Sequence, residues 1–241
     1  MPEPHRRQPA LLAISHGTDS RRGRALVGGL VAAVRERFPD THGGFVDVLR
    51  PDVPTVLGKL PPGAPAVVVP LLLSAGYHVR VDLARAARRA DRPVVVAGAL
   101  GPDDRLVDLL VRRLEEACVL PDDELVLVAA GSSDAAAVTA CAGMCERLAA
   151  RLGRPVRLAF LSAARPTLPE ALAAARASGR RVVLATYLLA PGYFFDLVEA
   201  AGADVVARPL LDEGPAPEEL VDVVLARYAA ASAPVEPLTG R

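Results

Sequence analysis

Short apolar runs separated by amphipathic stretches recur along the whole chain. Residues 10–14, 44–49, 66–73, 93–97, 125–129, 156–161 and 181–189 form continuous apolar runs, several rich in valine, with little alternation. Strands read this way when both faces of their sheet are covered, as in a parallel sheet packed between helices. Between the runs the period changes. Across residues 20–37, Leu26, Leu30, Ala33 and Val34 recur on one helical face, and the stripe ends at Arg37. Residues 79–90 and 105–117 are similarly amphipathic. Strand and helix alternate throughout, which predicts an α/β fold on mainly parallel sheets.

The pattern also repeats. Ser15-His16-Gly17-Thr18-Asp19 is matched by Ala130-Gly131-Ser132-Ser133-Asp134, and Arg50-Pro51 with Pro54 by Arg165-Pro166 with Pro169. Gly76-Tyr77 returns as Gly192-Tyr193, and Leu106-Val107-Asp108 as Leu220-Val221-Asp222. All four matches lie about 115 residues apart, the mark of an internal duplication. Residues 1–121 are expected to form one lobe, residues 122–231 its repeat, and residues 232–241 an unpacked tail.

Composition narrows the classes. The chain has 241 residues, of which 51% are hydrophobic but only 4% aromatic, so its core is built from Ala, Val and Leu. Lys+Arg and Asp+Glu balance at 28 each, so nothing marks a nucleic-acid or membrane-surface protein. No run of about 18 apolar residues predicts a membrane span, and the start lacks a signal-like apolar segment. Three cysteines, an odd number, suit a reduced cytoplasmic protein.

The repeat provides an internal control for candidate chemistry. His16 aligns with Gly131, Asp47 with Ser162 and His78 with Phe194, so each group able to ligate a metal or move a proton is lost from the second copy. All three follow or end apolar runs, and in parallel sheets ligands collect beyond the carboxyl ends of strands. A lone histidine there is more often a loop residue than a ligand. Two of the chain's four histidines in equivalent loops, with a carboxylate, reverse that reading. His78 precedes the helical stretch 79–90, whose N-terminus disfavours imidazolium and keeps the ring able to bind metal. His5 and His42 read as exposed loop residues, Asp82 as a helix residue or a partner of His78, and Cys141 with Cys145 as core packing. Neither a P-loop, a Gly-x-Gly-x-x-Gly turn nor a Gly-x-Ser-x-Gly elbow is present.

Three segments together resemble the class II tetrapyrrole chelatases, the sirohydrochlorin cobalto- and ferrochelatases. They are Leu11-Leu12-Ala13-Ile14-Ser15-His16-Gly17-Thr18-Asp19, Phe45-Val46-Asp47 with Pro51, and Val69-Pro70-Leu71-Leu72-Leu73-Ser74-Ala75-Gly76-Tyr77-His78-Val79-Arg80-Val81-Asp82-Leu83. The resemblance covers about residues 9–230, and it implies two Rossmann-like lobes facing across a cleft in a monomer. It implies metal insertion into sirohydrochlorin with release of two protons, without a nucleotide or a permanently bound cofactor, Fe2+ or Co2+ being a substrate. His16 and His78 map onto the family's metal-contacting histidines, and Asp47 stands where the family carries glutamate. Ser15, Gly17, Thr18, Arg21, Ser74, Ala75, Gly76, Tyr77, Arg80, Ser132, Ser133 and Tyr193 would hold the ring and its carboxylates, with Arg22 a further donor. A chelatase for another porphyrin, and a carrier of metal or tetrapyrrole without turnover, remain alternatives.

Overall fold

The structure is a computed structural model that describes residues 8–46, 49–74 and 76–233, with residues 77–80 described by their backbone alone. The chain runs β1 (Ala10–Ser15), α1 (Arg21–Arg37), β2 (Thr41–Phe45), α2 (Val53–Leu57), β3 (Ala66–Pro70), α3 (Tyr77–Arg89), β4 (Val94–Val96) and α4 (Asp104–Glu116). The same order then returns as β5 (Glu124–Ala129), α5 (Ala135–Leu152), β6 (Val156–Phe160), α6 (Leu168–Arg176), β7 (Val182–Tyr187), α7 (Tyr193–Glu199), β8 (Val205–Val206) and α8 (Glu218–Ser232). Two four-stranded parallel sheets result, ordered β2-β1-β3-β4 and β6-β5-β7-β8. The central strands β1, β3, β5 and β7 are buried along almost their whole length, so their apolar runs are continuous for the reason the pattern implied.

Two predicted elements move. In the run 44–49 the strand ends at Phe45 and Val46 lies beyond it, residues 47–48 fall outside the described residues, and the strand begins earlier, at Thr41. Gly43-Gly44 lies inside β2, where the neighbours are close: a Cβ on Gly44 would stand 2.8 Å from the Val56 side chain and 2.9 Å from that of Ile14. His42 is therefore a strand residue, its Nε2 2.9 Å from the Asp40 carboxylate. The helix predicted at 79–90 is α3, so His78 lies within its first turn rather than before it. The two-residue strand β8 carries too little sequence to show a period.

Each closing helix crosses to the other sheet. α4 packs on α5 and β7, whereas α8 packs on α1, β3 and β4, and the two helices also touch each other. α4 buries Leu106, Val107, Leu109, Leu110 and Leu114, a stripe wide enough for two neighbours. The inner faces of both sheets consequently share one core. The outer faces keep separate ones, under α6 and α7 in one lobe and under α2 and Leu83 in the other. Ion pairs Arg37–Asp222 (2.5 Å) and Arg151–Asp108 (2.7 Å) stitch the exchanged helices to α1 and α5. Among the described residues no helix is long and apolar enough to cross a membrane.

Candidate functional site

The loops beyond β1 and β5 are built alike. Gly17 turns the chain at φ +98° and Gly131 at φ +90°, a region open to glycine and strained for other residues. Thr18 Oγ1 then accepts from the Ser20 amide (3.2 Å), and Ser132 Oγ from the Asp134 amide (3.1 Å). Ser20 caps α1 through the Gly23 amide, as Asp134 caps α5 through that of Ala136. These roles pair Gly17 with Gly131, Thr18 with Ser132 and Ser20 with Asp134. The sequence match in this loop is thus shifted by one residue: His16 corresponds to Ala130, not Gly131, and Asp19 to Ser133, not Asp134. Shared aspartates drew the alignment off, because serine and aspartate cap helices equally well. The second lobe still lacks the imidazole.

Both loops open on a cavity of about 1070 Å³ between the lobes, bounded by the segments following β1, β3, β5 and β7. Of the predicted residues, Ser15, His16, Gly17, Thr18, Ser74, Gly76, Ser132 and Tyr193 line it. His16 is exposed to the cavity, and Tyr193 is 70% exposed at its rim. Arg21 and Ser133 lie off the wall. Arg22 is turned away, held by Asp212 (2.6 Å) and Glu213 (3.4 Å). Asp47 and Ala75 lie outside the described residues. Tyr77, His78 and Arg80 occupy the first turn of α3, directly after cavity-lining Gly76, and only their backbone is described. Among the described residues no three of His, Cys, Asp and Glu converge as a ligand set.

Sequence reasoning missed Arg24, Asp19, Cys141, Tyr187 and Asp196 on the cavity wall. Ser20, Arg24 and Val27 share one face of α1, spaced by four and three residues, so helical spacing from the cap was the available signal. Cys141 is the counterpart of Val27 on α5, and Asp196 stands on α7 where α3 carries Arg80. The floor joins the lobes. Tyr187, 2% exposed, directs its hydroxyl at the Leu73 carbonyl (3.4 Å), and the Cys141 Sγ lies 3.8 Å from Ser74 Oγ. Burial holds both the Tyr187 phenol and the Cys141 thiol in their neutral forms by raising their pKa. Gly101 allows the Tyr187 contact, and Gly23 a close approach of the lobes at Pro191. A Cβ on Gly101 would meet the Tyr187 hydroxyl at 2.1 Å, and one on Gly23 the Pro191 carbonyl at 2.5 Å.

The chain has relatives among known proteins. The CbiX family model matches residues 10–117 and again 124–211, one match for each repeat. A sirohydrochlorin cobaltochelatase of Sulfolobus acidocaldarius is 30% identical over 111 residues, which is 44% of this chain and 90% of that protein, so it is about one lobe long. A sirohydrochlorin ferrochelatase of Priestia megaterium is 30% identical over 141 residues, 55% of this chain; the match spans about half (53%) of that relative. Among solved structures, SirB from Bacillus subtilis with Fe3+ superposes with a TM-score of 0.79 at 19% identity, over 94% of this chain and 96% of SirB, a likeness of fold.

Proposed function

The chain belongs to the CbiX family, and we propose that it is a sirohydrochlorin chelatase that inserts a divalent metal ion into the ring. The observation that carries this reading is the inter-lobe cavity, with His16 on the first wall and Ala130 at the equivalent place on the second. Relatives of the chain are a cobaltochelatase and a ferrochelatase acting on that same ring.

Insertion exchanges two pyrrole protons for one metal ion, so the site must present metal to one ring face and accept protons. Imidazole does both, as a ligand suited to iron and cobalt and as a base near neutrality. His16 and His78 hold the incoming ion, one at the end of β1 and the other in the first turn of α3, and Asp47 balances its charge. The amides that open α3, directly after cavity-lining Gly76, have no side-chain cap and suit a ring carboxylate. The second lobe contributes a wall: Phe194 stands where α3 carries His78, and Leu188 and Leu189 continue the apolar surface. The metal is substrate, no nucleotide takes part, and the chain works in the cytoplasm as a monomer whose two lobes enclose a single site.

The deciding experiment is an insertion assay on sirohydrochlorin with Fe2+, Co2+ and Ni2+ in parallel. Multiple-turnover appearance of the metallated spectrum is the expected result. Stoichiometric binding without turnover would instead identify a carrier, and turnover on protoporphyrin or coproporphyrin alone would identify another ring as substrate.

A further inference from the structure

We propose that Arg24 seats a peripheral carboxylate of the tetrapyrrole and is a specificity-determining residue of the cleft. This rests on the chelatase reading and adds to it the residue that selects an acidic ring. Arg24 lies one helical turn beyond the Ser20 cap, on the face of α1 that lines the cavity. One of its terminal nitrogens donates to the Thr18 carbonyl at 2.7 Å, which fixes the guanidinium beside the loop carrying His16. Its other N–H groups have no hydrogen-bond acceptor among the described residues.

The surroundings make that charge unusual. Arg22, Arg37 and Arg151, on the same seam between the lobes, are each matched by an aspartate within 2.7 Å. Arg24 has no ion-pair partner among the described residues, although Asp19 and Asp196 line the same cavity. A half-buried cation in a cavity whose wall includes apolar Val27 and Leu71 is unfavourable unless something compensates it, and an anionic ligand does so. Among the described cavity-lining residues it is the one guanidinium. A planar fork of donors matches a carboxylate bidentately, which an ammonium group does not.

The repeat supplies an independent observation. With the loops aligned by their caps, Arg24 corresponds to Val138, which packs against the core. The second lobe therefore replaces Arg24 as it replaces His16 with Ala130 and His78 with Phe194. A guanidinium needed only to brace the loop would be needed twice, since Thr18 and Ser132 make the same turn. The group is retained where the chemistry is retained.

The test compares the wild type with Arg24→Gln and Arg24→Lys, each first checked for an unchanged melting temperature. Sirohydrochlorin insertion kinetics are read alongside fluorescence titration with metal-free uroporphyrin, a carboxylate-rich ring that reports binding without chemistry. Arg24→Gln is expected to raise KM and the uroporphyrin Kd by about 10- to 100-fold with kcat nearly unchanged, and Arg24→Lys to restore part of the loss. Added salt should weaken wild-type binding more steeply than that of Arg24→Gln. Unchanged KM and Kd in Arg24→Gln would overturn the proposal, and so would a fall in kcat at constant KM, which would mark a loop-bracing role. Failure of the wild type to metallate sirohydrochlorin would sink the chelatase reading, while the uroporphyrin titration would still decide Arg24. A wild type that does not bind uroporphyrin would overturn the proposal outright.

Discussion

Arg113 and Arg227 make the same pair of contacts in opposite directions across the seam between the lobes. Arg113, on α4, donates from Nε to the Pro209 carbonyl (3.2 Å) and from Nη2 to that of Leu210 (2.9 Å). Arg227, on α8, donates from the same two atoms to Ala99 and Leu100, both at 2.7 Å. Each exchanged helix thus fastens the loop that follows the other lobe's edge strand. The cavity lies between the lobes, so its width depends on this exchange.

Removing either clamp should cost stability. Arg227→Ala also loses a bond to the Pro102 carbonyl (3.1 Å) and an ion pair with Asp103 (3.2 Å). It is expected to lower unfolding stability by roughly 2–3 kcal/mol, and Arg113→Ala by roughly 1–2, as charge-assisted bonds to partly buried carbonyls are lost. Urea unfolding monitored by circular dichroism reads this as a lower midpoint. Unchanged midpoints in both variants would mean that the arginines merely decorate a seam held by the apolar core.

The duplication, the fold class and the cleft-facing loops were legible in sequence because strand runs, turn glycines and helix caps are local signals. The exchange of α4 and α8 was not. A stripe such as Leu106, Leu110 and Leu114 says that a helix is covered, not which sheet covers it. Arg24 escaped for a related reason. It belongs to the cavity through helical spacing from Ser20, a cap whose identity was obscured while Asp19 was matched with Asp134. The resemblance makes Arg21, close in sequence to His16, a candidate for holding the ring, yet one position along a helix turns a side chain by about 100° and takes it off the wall.

The asymmetry between the lobes predicts asymmetric mutants. His16→Ala and His78→Ala should each lower kcat for insertion by at least about a thousandfold, with far-ultraviolet circular dichroism unchanged, if each removes a metal ligand or base. Phe194→Ala, at the place equivalent to His78, should raise KM several-fold and leave kcat within about twofold, because it removes apolar wall rather than chemistry. Full activity in both histidine variants would refute the roles assigned to them.

Gly131 and Gly153 both carry positive φ, at +90° and +64°, but only one is crowded. A Cβ on Gly131 would come within 1.9 Å of the Ser162 carbonyl oxygen, whereas one on Gly153 meets nothing within 4 Å. Gly153→Ala should therefore cost about 1 kcal/mol for the backbone conformation alone. Gly131→Ala must also displace backbone and should cost at least about 2–3 kcal/mol. It should raise KM as well, since Ser132 on the cavity wall would move with it. Equal losses of stability in the two variants would show that the loop yields without strain.

The three cysteines should differ in reactivity and report on the cavity. Cys118 is exposed, while Cys141 and Cys145 are buried on α5. Burial, with a smaller contribution from the Glu146 carboxylate, pushes the Cys145 thiol up to about 11, and burial raises Cys141 against a smaller opposing effect of its hydrogen bond with Ser74. The reactive species is the thiolate, so at pH 8 a raised pKa and a closed environment act in the same direction. With a disulfide reagent at that pH, Cys118 should react rapidly, Cys145 should wait for unfolding, and all three should react in denaturant. Cys141 is the informative one because it lines the cavity floor, 3% exposed beside Ser74. Its slow reaction should slow further when uroporphyrin fills the cavity, with Cys118 unaffected. Protection of Cys118 instead, or of neither thiol, would place the ligand away from the cleft.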